Sequence, residues 1–155
     1  MKKFLAIVIL SVLNCNIAFA EWNNLKDIKD FKLSVSHEGD CKGKNYKKDT
    51  EIIIKYVLAN SKINLVDTTE TGEFIGVTIL TTGNENLCIS SIVFNTHTFN
   101  YSENSAGVKD FYKIESYNKK NIFFADNEII HKSQLLNWVE LITKQLVVDW
   151  TQAQK

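Results

Sequence analysis

Arginine and proline are both missing from the 155 residues, and sulfur is scarce, with one methionine and three cysteines. The missing arginine excludes a bidentate guanidinium fork for carboxylate or phosphate, because all 18 basic residues are lysines. The missing proline, beside an abundance of Asn, Lys and Ile, reads as AT-rich codon usage rather than as function. No basic excess exists either: 18 lysines face 18 acidic residues, which argues against a protein that neutralises nucleic-acid phosphates. A Gly-x-Ser-x-Gly elbow and a Gly-rich phosphate loop are absent. So are the tight C-x-x-C and H-x-x-x-H spacings that hold zinc, and no cofactor or metal is expected.

Cleavable-export features fill the first twenty residues. Lys2 and Lys3 form a positive start, Phe4 to Leu13 an apolar stretch, and Ala18-Phe19-Ala20 the small-residue pattern of a signal-peptidase cut before Glu21. An apolar run of about ten residues is too short to span a bilayer, which takes roughly 20. A rival reading makes Cys15 the lipidated start of a lipoprotein, but Asn14 stands where a small residue is wanted. The expectation is a cleaved signal peptide over 1–20, a single domain over 21–155 and a periplasmic or secreted location, with no transmembrane segment in the mature chain. Removing the first twenty of 155 residues leaves 135, with 16 lysines against 18 acidic residues, a net charge of −2. That length suits one domain with one core.

Two cysteines then remain, Cys41 and Cys88, and in an oxidising compartment they are expected to pair. Cys41 closes the string His37-Glu38-Gly39-Asp40-Cys41, which reads as a loop turned by Gly39, with His37 solvated. A metal role, a nucleophilic Cys41 helped by His37, and an acid–base pair of Glu38 and Asp40 are the sharper alternatives. Carboxylates two apart on one turn are poorly held for such chemistry. A simple β-α-β-β path sets the two cysteines at opposite ends of the sheet, whereas bridged Cα atoms lie about 4.4–6.8 Å apart. Either residues 38–45 fold back along the sheet, or the short strand before Thr68 does not run its full height.

Periodicity supplies the rest. Trp22, Leu25 and Ile28 suggest a helical turn, and Phe31, Leu33 and Val35 alternate as in a half-buried strand. Asp49 or Thr50 is expected to cap a helix carrying Ile53, Ile54, Val57 and Leu58, ended by Ala59 to Lys62. A brief strand at Ile63–Val66 precedes a hairpin of Phe74–Thr82 and Leu87–Phe99 around residues 83–86. Phe111–Tyr117 and Asn121–Ala125 read as a second hairpin turning at Asn118-Lys119-Lys120. Ser133 is the expected cap of a last helix bearing the stripe Leu135, Val139, Ile142, Leu146 and Trp150. The sum is an α+β two-layer sandwich: a mainly antiparallel sheet of about five to six strands, with two helices packed on one face.

His97 should be a hydrogen-bonded, half-buried strand residue, and His131 a capping or surface residue before the last helix. Among the aromatics between Phe94 and Phe124, Tyr101, Tyr112 and Tyr117 are the candidates for a binding surface on the uncovered sheet face. With no catalytic constellation in view, the expected function is a non-catalytic exported binding or accessory protein, whose partner is another envelope protein or a small ligand. An inhibitor or immunity protein against a secreted enzyme, and a small hydrolase with a dispersed site, are the alternatives.

Overall fold

The computed structural model describes residues 25–41, 45–68, 73–84, 87–103, 107 and 109–155. The expected signal peptide, its cut site and Cys15 lie outside those residues. Among the described residues, five strands and two helices follow in the order β1 (Asp30–Gly39), α1 (Tyr46–Leu58), β2 (Asn64–Leu65), β3 (Glu73–Asn84), β4 (Leu87–Glu103), β5 (Lys109–Ala125) and α2 (Glu128–Ala153). They form one sheet in the order β2-β1-β3-β4-β5. The expected α+β arrangement of two layers is present. The sheet is mixed, since β1 runs parallel to β2 and β3, while β3, β4 and β5 are antiparallel.

The core lies between the sheet and the helices. Phe31 and Val35 of β1, Ile75, Val77 and Ile79 of β3, and Ile92 and Phe94 of β4 all point into it, as strand alternation requires. Helix α1 contributes Tyr46, Ile54 and Leu58, and α2 contributes Leu135, Val139, Leu146 and Trp150. Four of the five stripe positions on the last helix are therefore buried, with Ile142 packed at the margin. At its far end α2 fastens the start of the domain: Gln154 Nε2 donates to the Leu25 carbonyl at 2.9 Å, and Trp150 Nε1 donates to the Ile28 carbonyl.

Several local expectations are corrected. His37 and Glu38 are not in a loop but continue β1, whose ladder to β3 runs on to Gly39 opposite Thr81. The partner strand decides where β1 ends, so the polar string stays extended. Helix α1 starts at Tyr46 rather than at Asp49 or Thr50. Its first residue is fully buried and anchors the first turn, and Asn45 precedes it at φ 79° without a side-chain cap bond. No turn occurs at residues 118–120. Asn118, Lys119 and Lys120 pair with Asn95, Phe94 and Val93, and β5 is one 17-residue strand templated by an equally long β4. A bulge at Thr96/His97 takes up the irregularity. The last helix begins six residues earlier than a cap at Ser133 would set it, capped by Asn127, whose Oδ1 accepts from the amides of Ile129 at 2.8 Å and Ile130 at 3.3 Å.

Topology also removes the conflict over the cysteines. β2 is two residues long and parallel to β1, so the chain regains the start of the sheet before β3 rises beside β1. The ends of β1 and β3 and the beginning of β4 then share one rim. Cys41 and Cys88 meet there in a disulfide with Cα atoms 5.8 Å apart.

Candidate functional site

At the stapled rim the ends of β1 and β3 meet the start of β4. Cys88 is the second residue of β4 and faces the helices, opposite Gly83 of β3 and Ala125 of β5. It is buried, whereas Cys41 is partly exposed and its Sγ lies 3.4 Å from the Thr82 carbonyl oxygen. Gly39, two residues before Cys41, adopts φ +124°, and a Cβ there would lie 1.7 Å from the Thr81 carbonyl oxygen. Glycine lets β1 press against β3 at the point where the chain departs towards the disulfide.

Beneath the bridge, α1 and α2 set two aromatic side chains together. Tyr46 Oη and His131 Nδ1 are 3.0 Å apart and buried, and Cys88 Sγ is 3.5 Å from the same nitrogen. His131 is therefore not the surface or capping residue expected, because the helix starts before it and turns its ring inward. Burial holds the His131 pKa below its ordinary value; the Phe123 backbone and the charge of Glu128 oppose that shift. Its Nε2 is buried without a partner in hydrogen-bonding geometry. Burial, reinforced by Glu128, raises the Tyr46 phenol to about 12. His37 completes the group from β1: its ring centroid is 4.9 Å from that of Tyr46, and its Nε2 is 3.1 Å from Thr81 Oγ1. It is partly buried rather than solvated, and burial lowers its pKa too. Lys132 pairs with Asp49 and lies over the Tyr46 ring at 5.8 Å.

On the opposite side of the same rim, no helix among the described residues covers the sheet. Leu80 of β3, Leu87 and Ile89 of β4, and Ile122 and Phe124 of β5 all point outwards there. Register makes them neighbours: Ile89 stands opposite Phe124, and Ser91 stands between Leu80 and Ile122. Ile122 is 66% and Phe124 72% exposed. Farther along this face the character changes. His97 stacks on Phe74 at 5.2 Å, is 3.0 Å from Asn95 Oδ1 through its Nδ1, and is only 8% exposed. Asn95 Nδ2 donates to Glu115 Oε1 at 3.1 Å, and Asn118 donates to the other Glu115 oxygen. Gly76 leaves the room for this network, since a Cβ there would lie 2.6 Å from Asn95 Oδ1.

Of the three candidate tyrosines, Tyr117 is buried and does not contribute to a surface. Tyr117 is 1% exposed, with its ring against Phe94, and belongs to the core because it stands opposite Thr96, on the same face as the buried Ser90, Ile92 and Phe94. Tyr101 and Tyr112 lie in the part of β4 and β5 that continues past β3 as a two-stranded ribbon, paired with Phe111 and Asn100 respectively. Glu38 and Asp40 are not a buried pair; both are exposed at the end of β1. Among the described residues no group of three His, Cys, Asp or Glu is placed to hold a metal ion. No helix among the described residues is long and apolar enough to cross a membrane.

The outward apolar strip was not among the expected sites, although the sequence carries a signal for it. Leu87 and Ile89 have the opposite parity to the core residues Ile92 and Phe94, and apolar side chains at both parities point to two faces in use.

No protein-family model matches the chain, and no curated protein is similar to it. Solved structures with a partly similar course of the chain include a PelC dodecamer from Paraburkholderia phytofirmans, at 11% identity and a TM-score of 0.41, with 77% of this chain and 87% of that one covered. They also include a rare lipoprotein B from Shewanella oneidensis, at 11% identity and a TM-score of 0.25, with 79% and 92% covered. Likeness at that level says nothing about what this chain does.

Proposed function

We propose that this chain is an exported, non-catalytic binding or accessory protein of the periplasm or the secreted fraction, which docks a partner protein on the open sheet face at the stapled rim. The observation that carries the reading is the contiguous strip Leu80, Leu87, Ile89, Ile122 and Phe124, exposed on the sheet side that no helix among the described residues covers. Scattered apolar residues are ordinary on a surface, but a clustered set on one face marks a contact. A disulfide ties the end of β1 to the hairpin strand that carries Leu87 and Ile89, so this part of the face is held rigid before binding. Preorganisation of that kind lowers the cost of association. The bridge also fits an oxidising compartment. Mature charge near neutral, with lysine as the only basic residue type, gives no reason to invoke nucleic acid.

Photo-crosslinking in intact cells tests this reading. A crosslinking residue at Phe124 should give a discrete adduct with an envelope protein. One at Tyr56, equally exposed on α1 at 71%, should not. Ile122→Lys should abolish the Phe124 adduct while leaving the protein folded. Equal adducts from both positions, or none from Phe124, contradict the proposal.

A further inference from the structure

We propose that the Cys41–Cys88 bridge is an exchange-competent disulfide, with Cys41 the sulfur that meets a partner's thiol or disulfide and His131 the base that takes and returns the proton of Cys88. Three observations carry it. The two sulfurs differ in access: Cys88 is buried under the rim, and Cys41 is partly open beside the Thr82 carbonyl. An imidazole nitrogen lies 3.5 Å from the buried sulfur, within reach of a thiol proton. Finally, that ring is held in place, because Tyr46 Oη sits 3.0 Å from the same Nδ1 and the ring is fully enclosed.

The chemistry follows from these positions. In the oxidising direction, the Cys41 thiolate attacks a partner disulfide, forms a mixed disulfide at Cys41 and expels the partner's first thiolate. Cys88 then passes its proton to His131 Nδ1, where the Tyr46 bond turns round so that Tyr46 Oη accepts from the new N–H, and the resulting thiolate attacks the Cys41 sulfur. The Cys41–Cys88 bond forms, the mixed disulfide breaks, and the partner leaves as its second thiolate, which recovers the proton. The two cysteines lose two electrons and the partner disulfide gains them. In the reducing direction one thiolate of a dithiol attacks Cys41 and expels the Cys88 sulfur, which takes up the proton given up by the attacking thiol by way of His131 Nδ1. The dithiol's second thiolate then attacks its own sulfur in the mixed disulfide and releases Cys41, so that the dithiol loses the two electrons the cysteines gain. Attack by thiolate is the general route of such exchange, so its rate follows the thiolate fraction.

Several other groups face the reacting pair from each packed element. Tyr46 and Asp49 come from α1, His37 from β1, and Glu128 and Lys132 from α2, with the Phe123 backbone from β5. Lys132 is paired to Asp49, and Glu128 acts on both the Tyr46 phenol and the His131 ring. Burial keeps the His131 ring neutral at neutral pH, the form that accepts a proton. The roles are unequal: His131 is a proton acceptor, whereas Tyr46 positions its ring.

Reoxidation of the reduced full chain by oxidised glutathione, trapped at intervals by alkylation and read by mass, tests the proposal. For the wild type, closure of the Cys41 mixed disulfide should outpace that in His131→Gln by at least about a hundredfold near neutral pH, the lower end of what a positioned base contributes. Tyr46→Phe should fall between them. Equal closure rates in wild type and His131→Gln would overturn the assignment. Should His131→Gln not fold, Cys41→Ser decides: the ultraviolet thiolate absorbance of its Cys88 should titrate below the ordinary thiol value of about 8.5. Titration at or above that value would equally overturn it. Glutathione trapped on Cys88 rather than on Cys41 would reverse the roles of the two sulfurs and likewise refute the proposal.

Discussion

At Gly39 the backbone itself is the constraint. Its φ of +124° suits glycine, and a Cβ would collide with the Thr81 carbonyl. Gly39→Ala should cost more than the roughly 1–3 kcal/mol of an unfavourable backbone conformation, because the collision adds to it. Denaturant unfolding should show that loss, and a change below about 0.5 kcal/mol would mean β1 departs from β3 earlier than Thr81. Two histidines supply a residue-level pH dependence. Both His37 and His131 have pKa values lowered by burial. Below about 6.5 the unfolded chain takes up protons that the folded rings resist, so their contribution to stability is present above that pH and lost as pH falls. Glu73 has the opposite sign: burial raises its pKa against a hydrogen bond from Thr98, so its contribution fades as pH rises through the folded value. Unfolding free energy should therefore drop as pH falls from about 7.5 to 5.5, where the two histidines outnumber the one carboxyl. A flat or rising profile would show that the rings are hydrated. Of the candidate residues, the cysteines were legible because compartment and count leave one pairing. His131 was not, because whether a histidine faces in or out depends on where its helix begins. That start was fixed by Asn127, six residues before the expected cap at Ser133.

Elements were legible where one period dominates and illegible where a partner strand decides. The stripe on α2 was readable from its spacing, and Leu146 in it is fully buried. Leu146→Ala should cost about 2–5 kcal/mol, the range for emptying a buried leucine site. A measured loss below about 1 kcal/mol would place Leu146 at the margin. In contrast, Asn118-Lys119-Lys120 has the composition of a turn and yet stays in β5, because β4 offers an unbroken ladder opposite it. The string from His37 to Gly39 has the composition of a loop and is strand for the same reason. Strand length is set across the sheet, and one segment read alone does not contain its neighbour's length. The outward strip has a similar origin. Leu87, Ile89, Ile122 and Phe124 read locally as ordinary strand formers, and only the register shows them as neighbours on one uncovered face.

For the whole molecule, the disulfide links these scales. It closes a loop over 47 positions and joins the strand that begins the sheet to the hairpin that carries the apolar strip. The chain-entropy model assigns such a loop about 4 kcal/mol at most. Cys41→Ser and Cys88→Ser should each destabilise the protein by up to that amount, and the double variant should be no less stable than either single one. A double variant clearly worse than both would mean that each cysteine acts separately. The proposed export and the proposed docking face both require that the protein reach an oxidising compartment with residues 1–20 removed. Intact-mass measurement, on protein taken from the cell envelope under immediate thiol alkylation, reads both facts at once. The account predicts the mass of Glu21–Lys155 less two hydrogens, with no alkyl adduct until a reductant is added. Two alkylated thiols on the freshly extracted chain, or a lipid-modified chain beginning at Cys15, would contradict it.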